Sequence, residues 1–279
     1  MIKRLSDKKR IIATKSAKIK RKKGSKILFT VLNLKKCVAV FMAIVLLLIL
    51  GSIFLPARLS TVSGSERLIP IYSVEREQKV VSISFDCAWG VDYTDSILNV
   101  MEEENIKCTF FTVEFWVNKH LDYVKKIVDA GHEIGTHSAT HPHMAKLSKE
   151  AIVSELSTSK NAIERITGKT VNLFRAPFGE YNNRVIETAK TLGLFTIQWD
   201  VDSLDWKDLG KNEIKNRVIT RVKNGSIVLF HNQGKHTSEA LPEIIKGLKG
   251  KGYSFLPISQ LIYTNNYKVL PNGRQVQVD

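Results

Sequence analysis

The sequence predicts an α/β protein with a mainly parallel sheet, preceded by one transmembrane helix. Three observations carry that expectation. From Lys79 onward, short apolar runs alternate with segments of helical spacing. Five stretches put a charged or titratable residue at or just after the end of such a run, where parallel α/β folds collect their chemistry. Ahead of them all lies Cys37 to Leu55, nineteen consecutive residues without a charge.

Taken in order, residues 1–36 hold 14 Lys and Arg against the single acid Asp7, a net +13 of the chain's +15. The other residues carry 28 basic and 26 acidic side chains, so the part expected to fold is nearly neutral. The positive charge therefore belongs to a tail, which excludes nucleic acid as the expected partner. The tail leads into CVAVFMAIVLLLILGSIFL, residues 37–55, roughly 28 Å long as a helix and close to the bilayer hydrocarbon thickness. The Lys/Arg excess before it puts the N-terminus in the cytoplasm and everything after Pro56 outside, the topology of a single-pass cell-membrane protein. A cleaved signal peptide is the competing reading, and PARLSTVSGSER offers it only weak cleavage positions.

Residues 56–78, with Ser63, Gly64 and Ser65, read as a spacer. The globular pattern spans 79–264, with strands expected at Val80 to Phe85, Cys108 to Val113, Glu133 to Thr136, Asn172 to Arg175, Phe195 to Trp199, Ser226 to Phe230 and Ser254 to Pro257. Between them Leu121, Val124 and Val128 step at helical spacing before Gly131. Ile152, Leu156, Ile163 and Ile166 do so before Gly168, and Ile214, Val218 and Val222 before Asn224-Gly225. The alternation fits an open doubly wound sheet and a closed barrel equally well. Residues 265–279 are expected to be a loose tail. Of the three cysteines, Cys37 falls in the membrane segment, while Cys87 and Cys108 sit at opposite ends of neighbouring strands, on the order of 15 Å apart and beyond disulfide reach. No sequence feature indicates an oligomer interface, so a monomeric exterior domain is expected.

The motifs are SFDCAWG (84–90), HSATH (137–141), RAPFG (175–179), DSLDW (202–206) and LFH (229–231). His137 and His141 are spaced to share one face of a helical turn and to hold one metal ion. In type and order the five stretches resemble the motifs TFDDG, HSxxH, RxPxG, DxxDW and LxH of the NodB-type polysaccharide deacetylases, carbohydrate esterase family 4, over roughly Val80 to Tyr263. The SFDxxWG form, with Trp89 and Gly90, resembles the family's sporulation-associated branch.

The resemblance implies a distorted (β/α)7 barrel and hydrolysis of N-acetyl groups on cell-wall polysaccharide. It implies Asp86 as the general base, Arg175 as its charge partner, His231 as the general acid and Asp205 as the carboxylate orienting that histidine. The backbone N–H of Phe178 would help hold the oxyanion, and Trp206 would wall the acetyl pocket. His137 and His141 would bind a divalent metal, zinc first and cobalt or manganese as alternatives. The family's third protein ligand is the second Asp of its first motif, and here that position is Cys87. Three readings stay open: thiolate ligation in a Cys-His-His site, a cation held by two histidines and water, or loss of metal and catalysis leaving a glycan-binding protein. His132, His143 and His236 match no motif and read as solvated loop residues.

Overall fold

The computed structural model describes residues 34–54 and 66–278, with side chains at 35–50 and 66–278. The chain divides into two units, Met1–Gly64 and Ser65–Asp279. Helix α1 (Leu34–Phe54) is the described part of the first unit. Its apolar side chains from Val38 to Leu50 are largely exposed. Among the described residues no helix is long and apolar enough to cross a membrane. The described side chains of α1 stop at Leu50, short of the span expected at 37–55, which therefore stays a reading of the sequence. Most of the basic tail, Leu55 at the end of the expected span, and residues 56–65 of the expected spacer lie outside the described residues.

The second unit runs β1 (Ser73–Val74), β2 (Val80–Cys87), α2 (Thr94–Glu103), β3 (Thr109–Thr112), α3 (Glu114–Lys119), α4 (Leu121–Asp129), β4 (Glu133–Thr136), α5 (Lys149–Thr167), β5 (Leu173–Phe174), α6 (Asn183–Thr191) and β6 (Phe195–Thr196). It continues through β7 (Val201–Asp202), α7 (Lys211–Arg221), β8 (Ser226–His231), α8 (Thr237–Gly250), β9 (Ser254–Phe255), α9 (Ile258–Leu261), β10 (Tyr267–Val269) and β11 (Arg274–Gln277). Each of the seven expected strands is present, as β2 to β6, β8 and β9. Strands β8, β2, β3, β4, β5 and β6 lie side by side and parallel, with β7 on β8 and β9 on β2.

The sheet curls so that its two faces bury different things. Along β2, Val81, Ile83, Phe85 and Cys87 point to the layer under the helices, where Phe85 stacks on Phe110 and Phe230 at 5.0 and 5.7 Å. The alternate residues Ser82, Ser84 and Asp86 make polar contacts on the inner face: Ser82 donates to the Leu256 carbonyl and Ser84 to that of Val228. A second apolar cluster with Ile71, Phe111, Leu173 and Ile227 fills that inner side. All eight residues of β2 are buried, and the alternation of apolar residues with Ser82, Ser84 and Asp86 follows from one face meeting the apolar layer and the other a polar-lined interior.

The expected barrel is realised as a half-barrel sheet, and two boundaries move. Residues 66–78 do not form a spacer: Ile71 bridges to Ile197 beside β6, and Ser73 pairs with Ser226 of β8, so this segment joins the two flanks of the sheet. Residues 265–279 are not loose either. β10 and β11 pair with each other, β11 pairs with β1, and the fully buried Gln275 amide exchanges two hydrogen bonds with the backbone of Tyr263. The helical readings hold with one change, since Leu121 is exposed and Ile127 takes its place in the core beside Val124.

Candidate active site

Parallel pairing brings the C-terminal ends of β2, β3, β4, β5 and β8 to one rim, with Asp86 opposite His231, Cys87 opposite Thr112, and Thr136 opposite both Thr112 and Phe174. Five sequence stretches far apart in the chain thus meet around one cavity of about 620 Å³. Its walls include Asp86, His137, His141, Phe178, Trp206 and His231. Clefts of this size are typical of ligand sites.

Asp86 and Arg175 form a buried pair. The Arg175 guanidinium donates from Nη1 to Asp86 Oδ1 at 2.8 Å and from Nη2 to Ser84 Oγ at 2.9 Å and the Gln198 carbonyl at 3.2 Å. Its carbon lies 4.1 Å from the centre of the Phe111 ring and 5.6 Å from that of Trp199. Burial alone would raise the Asp86 pKa, but the charge of Arg175, the largest opposing influence, holds it below the ordinary carboxylate value. Asp86 stays ionised and within reach of the cavity.

Asp205 and His231 form the complementary pair. His231 Nδ1–H donates to Asp205 Oδ1 at 2.8 Å, and the His231 backbone N–H donates to Oδ2 at 2.8 Å. Thr237 Oγ1 also donates to Oδ2, at 2.6 Å. Gly234 permits this close packing, because a Cβ there would fall 2.6 Å from Asp205 Oδ2. Burial pushes the His231 pKa down, and the hydrogen bond and charge of Asp205 outweigh it to leave a net rise. Opposite partners thus poise one group as a base and the other as an acid.

The two histidines meet differently from the helical spacing expected. His137 follows β4 directly, and the chain then passes through positive φ at Ser138 (74°) and His141 (58°) instead of a helical turn. The ring centroids are 5.0 Å apart. Glu155 on α5 fixes this loop by accepting from the backbone N–H groups of Ala139 and Thr140 at 2.9 and 2.8 Å, and from Thr140 Oγ1. His137 Nδ1–H donates to the Arg175 carbonyl at 2.8 Å, which leaves Nε2 unprotonated, 3.6 Å from Asp86 Oδ2. Burial lowers the pKa of His137 and takes that of His141 to about 4, so both rings are neutral, the form a metal needs.

Cys87 does not join them. By strand alternation its thiol lies with the apolar layer under the helices, fully buried, and burial followed by the Asp86 charge raises its pKa far from thiolate formation. Among the described residues no group of three or more His, Cys, Asp or Glu side chains is placed to hold one ion. The donor set therefore fits a cation held by two neutral imidazoles, with its other positions open to solvent or substrate, and it does not fit thiolate ligation.

Phe178 sits in a tight 3-10 turn, Pro177–Gly179, with φ of 59°. The hydrogen bonds of that turn come from Gly179 and Glu180, so neither uses the Phe178 N–H. Trp206 is 57% exposed on the cavity wall. The sequence assigned no role to Trp199, Asp202, Asn232 or Gln233, which also line the cavity; Asp202 opens the DSLDW motif and Asn232 follows LFH, a signal that was available. His143 is half exposed, stacks on Phe178 at 4.6 Å and pairs with Glu180, while His236 is partly exposed beside Glu239. His132 is no solvated loop residue: it is buried against Cys108 and Phe110 at the other end of the strands.

A family model described as polysaccharide deacetylase matches residues 73–197. The Bacillus cereus protein named peptidoglycan-N-acetylglucosamine deacetylase is 33% identical over 196 residues, 68% of this chain and 92% of that one. The uncharacterized protein YlxY of Bacillus subtilis is 32% identical over 193 residues, 69% of this chain and 60% of that one. Among solved structures, a carbohydrate esterase family 4 pseudoenzyme from Bacillus anthracis is 36% identical, covers 69% of this chain and 68% of that one, and has a TM-score of 0.67. A mutant of it with restored enzymatic activity gives the same TM-score at 38% identity, with 69% of this chain and 70% of that one covered.

Proposed function

Because the chain belongs to the polysaccharide deacetylase family, we propose that it is a peptidoglycan N-deacetylase, removing acetyl groups from N-acetylglucosamine or N-acetylmuramic acid units of cell-wall glycan. The observation that carries this reading is the convergence on one cavity of a carboxylate paired with Arg175 and a histidine hydrogen-bonded to Asp205, which raises its pKa.

Asp86 takes a proton from the attacking water as its oxygen adds to the acetyl carbonyl. The Phe178 N–H donates to the oxygen that becomes negative. His231 gives its Nε2 proton to the amide nitrogen, the C–N bond breaks with its electron pair on nitrogen, and acetate and the free amine leave. Trp206 walls the acetyl group. His137 and His141 would hold a divalent cation, zinc first with cobalt and manganese as alternatives, which when bound supplies Lewis acidity toward the acetyl oxygen and the water. Mass spectrometry of chitin oligomers and peptidoglycan fragments incubated with protein and each metal tests the reading. Loss of acetyl groups is expected, and unchanged masses under every metal would overturn it.

A second reading is a catalytically silent glycan-binding wall protein. It is favoured by the position of Cys87, which leaves the two histidines without a third protein ligand among the described residues, and by the likeness to a pseudoenzyme. Glycan affinity that survives Asp86→Asn and His231→Ala, with no acetyl loss by the parent, would establish it.

Residues 37–55 would anchor the protein in the cell membrane, N-terminus inside and second unit outside. Resistance of the full chain to carbonate extraction, with the second unit digested by protease added to intact spheroplasts, is the expected result. The SFDCAWG motif supports a role in sporulation, for which a deletion strain with unaltered spore glycan would be the contrary finding.

A further inference from the structure

We propose that Trp89 is a sugar-stacking platform at the mouth of the cavity, taking the apolar C–H face of an N-acetylated pyranose within a glycan chain; this rests on the glycan reading above. Among the described residues of the second unit, the exposed large apolar side chains are Trp89, Phe115, Leu121, Phe178 and Trp206. Three of the five line the one cavity, and Trp89 is the most exposed of them at 62%. A rim of exposed aromatic rings around a polar catalytic floor is a surface for a ligand with apolar and polar faces, which is what a pyranose presents.

Trp89 is also held ready for such a contact. The neighbouring Gly90 has φ of 55°, and its carbonyl accepts from Trp116 Nε1 at 2.7 Å and from Asn232 Nδ2 at 3.0 Å. Asn232 directly follows His231, and its own backbone N–H donates to the Asp86 carbonyl at 3.2 Å. The loop carrying the indole is thus fastened to the two strands that present the base and the acid. Gln233 Nε2 donates to Asp92 across the same loop at 2.6 Å, in the space a Cβ on Gly90 would need. The indole meets His141 edge-on at 5.0 Å, and Phe178 meets the same imidazole at 4.6 Å. The two rings therefore stand within about 10 Å of each other around the histidine, one on each neighbouring loop. A rigid aromatic platform loses little entropy when a sugar settles on it.

The test is calorimetric titration of the full chain in detergent micelles with the N-acetylglucosamine tetramer. Trp89→Ala is expected to weaken binding roughly three- to tenfold, with most of the loss recovered in Trp89→Phe. Phe115→Ala, an exposed aromatic outside the cavity, is expected to bind like the parent. Unchanged affinity in Trp89→Ala overturns the proposal. So does equal weakening in the Ala and Phe variants accompanied by a lower urea midpoint, which would make Trp89 a brace for His141. A parent with no affinity for the tetramer also overturns it, whereas affinity without acetyl loss removes only the deacetylase reading.

Discussion

Arg175→Met removes the cation from the most buried charge pair in the second unit. The guanidinium is fully buried and makes three hydrogen bonds, one to the Asp86 carboxylate and two to Ser84 and Gln198. Methionine fills much of the volume but leaves Asp86 as a buried charge without its guanidinium partner. Breaking a buried pair from one side costs about 3–5 kcal/mol, against a total domain stability of roughly 5–15 kcal/mol. For a unit of this size that is a Tm loss of about 6–20 °C. Adding Asp86→Asn to the variant removes the stranded charge and should return a substantial part of the loss. Asp86 has a depressed folded-state pKa, so the stability it draws from Arg175 is present above its unfolded value of 3.8 and disappears as pH falls through the folded value. The gap between parent and variant should therefore be full at neutral pH and close in the acid range below 3.8. Urea unfolding of residues 65–279, run as a double-mutant cycle at neutral and acid pH, measures all of this. A single-variant cost below about 1 kcal/mol, or strictly additive effects of the two substitutions, would refute the reasoning.

Asp205→Asn removes the charge that raises the His231 pKa, so the alkaline limb of the pH–rate profile should move to lower pH and the imidazole resonance should titrate earlier by NMR; an unmoved limb would separate His231 from the acid step. Cys87→Ala should leave bound metal unchanged and cost about 1–2 kcal/mol as a small core cavity; loss of metal on equilibrium dialysis would restore the thiolate reading. A fragment beginning at Lys79 lacks β1 and the Ile71 bridge, and should melt well below one beginning at Ser65. Gly234→Ala should displace Asp205 and reproduce the pH effect of Asp205→Asn in weaker form.

The positions of the strands and the rim of charged residues were legible because each motif closes an apolar run, and parallel pairing then brings those ends together whatever lies between them. The spacing of His137 and His141 was misleading as to conformation: it suits a helical turn, yet Ser138 and His141 reach the same convergence through positive φ, stabilised by Glu155 from a helix no local pattern connects to them. Ile71 and the C-terminal hairpin were missed because strands of two to four residues carry no clear period, and their polar surroundings read as linker. Gln275 is the case in point, a polar residue fully buried by two backbone hydrogen bonds to a partner twelve residues away. The side to which Cys87 points was implicit in the alternation of β2, with Asp86 toward the inside, but motif alignment alone placed it beside the histidines.

Acetate release from peptidoglycan by residues 65–279, with and without added divalent metal and beside the Asp86→Asn variant, tests the central claim most directly. Metal-dependent release that vanishes in the variant is the predicted result and would show that two histidines suffice with Cys87 in the core. Release that persists in Asp86→Asn, or none from the parent under any metal, would contradict it.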